Sequence, residues 1–315
     1  MVYAILVFGV FACSTAVIFV KLSWTPSILL AAYRLLVASL VLSPLFLRQW
    51  RRHRAEYPLR EFRRSLLPGV VLAFHFIAWI MSARMTTAVN ATIIVTLMPV
   101  AMPFFLFFMM KEKLTRRELL ATLLSVGGFV GLTMADFDAS AEHFRGDLLC
   151  FVSMLLAAYY LAIGRRHRDV PGLWLYLVPL YFIAGLVCLA VSLVMREGRI
   201  CAPDIEMGGG EFVLWREVAM VVGLSVVPTV IGHSILNYAM ARLRGQVVSI
   251  FSMGQFVFAA LMAYGLFGEA EIGGLMTYVF AALLVASGLI LLGDPDTVGA
   301  RADTEPAVGT TDKQQ

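Results

Sequence analysis

The chain carries about ten apolar stretches of near 20 residues, parted by short polar connectors, between Val2 and Gly293. A hydrocarbon layer roughly 30 Å thick is crossed by about 20 helical residues. In lipid each backbone amide must find its partner inside the segment, so the pattern selects membrane-spanning helices over a soluble core. Composition agrees. Of 315 residues 60% are hydrophobic and 15% charged, with a mean hydropathy of +0.83, whereas soluble domains hold about 25% charged residues.

The predicted fold class is an all-α integral membrane protein of ten transmembrane helices. These are placed at residues 2–22, 27–47, 66–82, 88–110 and 118–134, then 147–164, 172–195, 217–240, 246–267 and 272–292. The run from Met1 to Val20 lacks a basic leader and is too long for a signal-peptide core, so it reads as a retained first helix. Basic residues resist translocation. With the N-terminus inside, 18 Lys and Arg fall in inside loops and the tail, against 6 outside. Both termini are therefore expected in the cytoplasm of a multi-pass protein of the cell (inner) membrane. The residues after Gly293 read as a disordered cytoplasmic tail, 294–315.

The two halves carry matched landmarks. His75 answers His233 at an offset of 158, Glu112 answers Glu269 at 157, Gly131 answers Gly288 at 157, and Pro26 answers Pro171 at 145. The implied units are 1–134 and 147–293, joined by an external connector at 135–146. An odd number of crossings makes the second copy enter from the opposite face, giving an inverted repeat. In secondary transporters such symmetry relates the outward and inward states, with the substrate near the midplane.

These landmarks resemble the drug/metabolite transporter superfamily, specifically its EamA-like ten-helix transporters built from two EamA repeats. The first half carries Lys21, Tyr33-Arg34-Leu35, the segment Ala88 to Pro99 and Lys111-Glu112-Lys113-Leu114-Thr115. The second adds Gly146-Asp147-Leu148-Leu149, Gly232-His233 with Asn237, and Gly268-Glu269. At one place the chain departs from the pattern: Gln255-Phe256 stands where the ninth helix usually has Glu-Pro, which removes the carboxylate and the proline kink found there. The resemblance implies a secondary exporter of a small metabolite, amino acid or drug-like compound working by alternating access.

Polar groups deep in apolar helices are costly unless they face a cavity or a partner. His75 and His233 occupy equivalent repeat positions, and each suits a substrate carboxylate contact, a proton relay or a structural bond to a neighbouring helix. Trp79 and Asn237 lie one turn further on the same faces. Arg34 is the one formal charge well inside a predicted helix, suited to snorkelling, a carbonyl partner or anion capture. Tyr159, Tyr160, Gln255, Asn90 and Ser14 are further cavity-lining candidates. Glu112 and Glu269, at helix ends on opposite faces, suit capping or gating. Pro99, Pro103 and Pro228 free backbone carbonyls and permit bends. Gly127, Gly128 and Gly131 suit close helix packing or a homodimer contact.

Other classes find less support. The sequence has no GxxxxGK[ST] and no HExxH, no paired intramembrane carboxylates, and four scattered cysteines without metal-ligand spacing. No catalytic residue, metal or cofactor is expected, and the basic residues report topology rather than a nucleic-acid partner. The expected partners are a small-molecule substrate and the lipid bilayer. A channel or scaffold, or an intramembrane enzyme, is the alternative reading.

Overall fold

The computed structural model describes residues 2–53, 62–136, 143–197, 210–267 and 275–292. Among these the chain is helical almost throughout, and eight helices are long and apolar enough to cross a membrane. Side chains such as Leu40, Phe104, Phe108, Leu123 and Val194 are exposed around the perimeter. An apolar outer surface of this extent belongs in lipid, and the fold is that of an all-α membrane protein.

The first span consists of α1 (Val2–Ser14) and α2 (Ala16–Leu22), interrupted at Thr15. There the hydroxyls of Ser14 and Thr15 donate to the carbonyls of Phe11 and Ala12 at 2.6 and 2.8 Å, a local competition that bends helices. Next come α3 (Ser27–His53) and α4 (Leu66–Met85). Helices α5 (Ala88–Thr96) and α6 (Met98–Met110) are separated at Leu97, ahead of Pro99. The first half closes with α7 (Arg116–Asp136). Thr115 and Glu118 cap it reciprocally, each side chain accepting from the other's backbone N–H at 3.1 and 2.8 Å.

The second half begins with α8 (Phe144–Arg166) and α9 (Leu173–Met195). Helix α10 (Gly210–Leu224) then widens into a π-helical segment, Ser225–His233, and narrows again to α11 (Ser234–Arg242). The last helices are α12 (Gly245–Ser252), α13 (Gln255–Phe267) and α14 (Leu275–Leu292). Several helices outrun their predicted ends by a turn or more, notably α3, which continues to His53, because amphipathic basic turns extend beyond the apolar core. Glu269, residues 137–142 of the 135–146 connector and the tail lie outside the described residues.

Two breaks differ in how plainly the sequence marks them. Pro99 marks the one at Leu97. The other, at Met253-Gly254, lies 157 residues after it and occurs without a proline, the chain passing through short i→i−3 bonds from Met253, Gly254 and Phe256.

A carbonyl freed by a proline is recovered by a polar side chain. Pro103 has no N–H for the carbonyl of Pro99, and Gln246 of α12 donates its Nε2 hydrogen there at 3.0 Å. Gln246→Leu should therefore lower thermal stability by about 1–3 kcal/mol, the cost of an orphaned buried acceptor. The loss should shrink in a Pro103→Ala background, where the alanine supplies the missing N–H. Additive losses in a double-mutant melt would refute the link.

The helices pair in a regular way. Helix α3 packs on α9, α7 on α14, and α5–α6 on α12–α13. Helix α1 packs on the π segment and α11, while α8 packs on α4. Under the sequence offsets the first three are contacts between equivalent helices, and the last two are one contact occurring twice.

Candidate functional site

The residues around the middle of the bundle enclose a cavity of about 50 Å³. It is lined from α1–α2, α3, α4, α5–α6, α8, the π segment with α11, and α13, so both halves of the chain contribute. His75, Trp79, Arg34, His233, Gln255 and Ser14 all line it. So does Tyr160, whereas its neighbour Tyr159 turns toward α6, its ring 5.3 Å from that of Phe105. Asn90 is buried outside the cavity, its backbone N–H held by Thr87.

His75 and His233 approach to 6.5 Å between ring centroids. Nδ1 of His75 lies 2.9 Å from both the carbonyl and the hydroxyl of Ser153. Tyr160 links the second histidine. Its oxygen accepts from Asn237 Nδ2 at 3.3 Å and lies 3.0 Å from Nδ1 of His233. The two imidazoles therefore give Nδ1 different partners, Ser153 for one and Tyr160 for the other.

Arg34 is the sharpest feature. It is 1% exposed, and its guanidinium lies over the Phe76 ring at 4.0 Å and 5.8 Å from that of Trp79. Its Nε donates to Thr229 Oγ1 at 2.6 Å. That hydroxyl is placed by Pro228: the proline has no N–H for the carbonyl of Leu224, and Thr229 donates to this carbonyl at 3.0 Å. Nη1 and Nη2 of Arg34, and the indole Nε1 of Trp79, have no hydrogen-bond partner among the described residues. The sequence marks Pro228 as a source of a free carbonyl but gives no sign that Thr229 turns it into a seat for Arg34.

Both ends of the bundle are tied by charge. At one end Glu112 pairs with Arg165 at 2.8 Å, and Arg165 also donates to the carbonyls of Met240 and Leu243. Arg244 grips Glu118 through two nitrogens, at 2.5 and 2.9 Å, and lies 3.7 Å from Glu112. At the other end Glu217 holds the turn between α2 and α3, and Glu197 accepts from the backbone N–H groups of Ile28 and Leu29. Sequence alone puts Glu197 in the connector after the helix 172–195 and Glu217 at the start of the helix 217–240, where a carboxylate looks the same whether solvated or folded against a distant turn.

A second, larger space of about 400 Å³ opens beside the Arg165 end, lined by Gln49, His167, Arg168, Tyr176, Asn237 and Arg242 among others. Asn237 thus borders this vestibule while bonding to Tyr160, which borders the central cavity. One layer of side chains separates the two spaces.

Comparison with known proteins gives the chain its context. Residues 1–134 match the EamA-like transporter family. A protein known from its crystal structure shares the fold over 92% of this chain and 95% of its own, with a TM-score of 0.69 at 18% identity. No curated protein matches the chain.

Proposed function

We propose that this chain, which its first 134 residues place in the EamA-like family of drug/metabolite transporters, is a secondary exporter working by alternating access. The observation that carries this reading is the central cavity, built jointly by both halves, with an ion-paired cluster tying the helices at one end and the Glu217-centred turn at the other. About 50 Å³ admits only a few waters, so a larger solute requires the surrounding helices to move apart. Ten spans in two inverted five-helix repeats supply the motion, and the paired contacts of α1 with α11 and of α4 with α8 support that symmetry.

The 18 to 6 charge bias puts the Arg165 end in the cytoplasm. The vestibule then is the cytoplasmic mouth, the Tyr160–Asn237 layer its inner gate, and the Glu112–Arg165–Arg244–Glu118 cluster the lock. Saturable counterflow in proteoliposomes, followed with candidate solutes, tests the carrier reading, and conductance without saturation would favour a channel.

His233→Ala should reduce that flux at least tenfold and leave expression intact. Cys188→Ala should leave it unchanged, because the Cys188 thiol is buried between α9 and α4, where it meets the carbonyl of Ala73, away from the cavity. Equal activity of the two variants would remove His233 from the transport site.

A further inference from the structure

We propose that the central cavity selects a monocarboxylate with an apolar body, whose carboxylate is taken by Arg34 and Trp79. This deepens the transporter reading and rests on it only for the direction of travel. Three donors, Nη1 and Nη2 of Arg34 and Nε1 of Trp79, lie unpartnered at one cavity among the described residues. Neither Asp nor Glu is among the described residues lining it. A guanidinium buried in a membrane protein without a countercharge is costly. Arg34 nevertheless keeps only one anchoring bond, from Nε to Thr229, which leaves Nη1 and Nη2, the two-nitrogen edge of its fork, without a partner among the described residues. That edge matches the two oxygens of a carboxylate.

Charge counting narrows the ligand further. One fixed positive charge compensates one negative charge, so a phosphate dianion would bring surplus charge into a space walled by Val17, Phe76, Val95, Met98 and Leu161. A zwitterionic amino acid would bury an ammonium with no carboxylate to receive it. An uncharged amide would leave the guanidinium charge uncompensated. The apolar wall suits an alkyl or aryl body, and the Phe76 and Trp79 faces suit an aryl one. Arg168 and Arg242 at the cytoplasmic mouth have the sign that concentrates anions there.

The test uses the purified full-length protein in detergent, with binding read by calorimetry and ligand-induced thermal shift. Phenylacetate and 3-phenylpropionate should bind at least tenfold more tightly than phenylacetamide, L-phenylalanine or phenyl phosphate. Arg34→Lys, which keeps the charge and loses the fork, should weaken phenylacetate at least tenfold. Thr229→Val, which keeps the guanidinium and loses its anchor, should weaken it severalfold, and Thr229→Ser should restore it. Should the Arg34 variant fail to fold, the ligand series on the unaltered protein and the Thr229 pair decide. Phenylacetate binding no better than phenylacetamide overturns the inference. Counterflow with the same compounds separates the two readings: tight carboxylate binding without flux would sink transport and leave the anion site, whereas saturable flux of neutral or cationic solutes alone would do the reverse.

Discussion

Glu217→Ala should reduce counterflow at least tenfold and lower the melting temperature markedly, although Glu217 is remote from the cavity. Its Oε2 accepts from Ser23 Oγ at 2.8 Å, from the backbone N–H of Trp24 at 3.0 Å, and from Thr25 through N–H and hydroxyl at 3.1 and 3.0 Å. Its other oxygen pairs with Arg216 at 3.2 Å. Arg216 in turn donates to the carbonyl of Leu22 at 2.8 Å and lies over the Trp24 ring at 4.1 Å. The turn from α2 to α3 is thus folded around one carboxylate that is 3% exposed.

Arg216 is partly exposed and can turn to water, but each buried donor at Ser23 and Thr25 left without its acceptor costs about 1–3 kcal/mol. Glu217→Gln keeps one acceptor oxygen but meets Arg216 with an amide, so an intermediate loss is expected. A melt within about one degree of the parent protein, with normal flux, would show that this end is held by something else.

Glu217 also shows where sequence reading stops. Helices reveal themselves because each apolar run must satisfy the same requirement of roughly 30 Å, and Pro99, Pro103 and Pro228 announce their bends because a missing N–H is a local property. His75, Trp79, Arg34 and His233 stand out as polar or amphipathic groups inside apolar runs, and all four reach the cavity. What cannot be read locally is the partner. Thr229 looks like any mid-helix threonine until α3 brings Arg34 against it, 195 residues away in sequence. The choice between Tyr159 and Tyr160 is a matter of about 100° of helical rotation, which no isolated pair of adjacent tyrosines reveals. The break at Gly254 has no proline to betray it, and its match to Leu97 emerges only when both are seen in three dimensions.

Gly232→Val should abolish accumulation of folded, monodisperse protein, while Gly127→Val should leave it unchanged. Both glycines are helical, so intrinsic propensity treats the substitutions alike. Their surroundings differ completely. Among the described residues a Cβ at Gly127 meets nothing within 4 Å, but one at Gly232 would lie 2.6 Å from the Cys13 sulfur and 2.9 Å from the Cys13 backbone nitrogen. Here α1 and the π segment cross at glycine-to-glycine distance, the carbonyl of Gly9 lying 3.2 Å from the same point, as small residues permit in membrane packing.

Overpacking an adaptable core costs about 1–3 kcal/mol. At Gly232 part of the obstacle is backbone, which cannot rotate aside, so α1 must separate from the helix that carries Thr229 and His233. A partial rescue distinguishes this mechanism from general intolerance at position 232. Cys13→Ala removes the nearer clash and leaves the one with its own nitrogen, so the double variant Cys13→Ala/Gly232→Ala should recover some folded protein relative to Gly232→Ala alone, yet less than the parent. No recovery at all would mean that the backbone contact by itself sets the helix spacing, and full recovery would mean that it sets nothing.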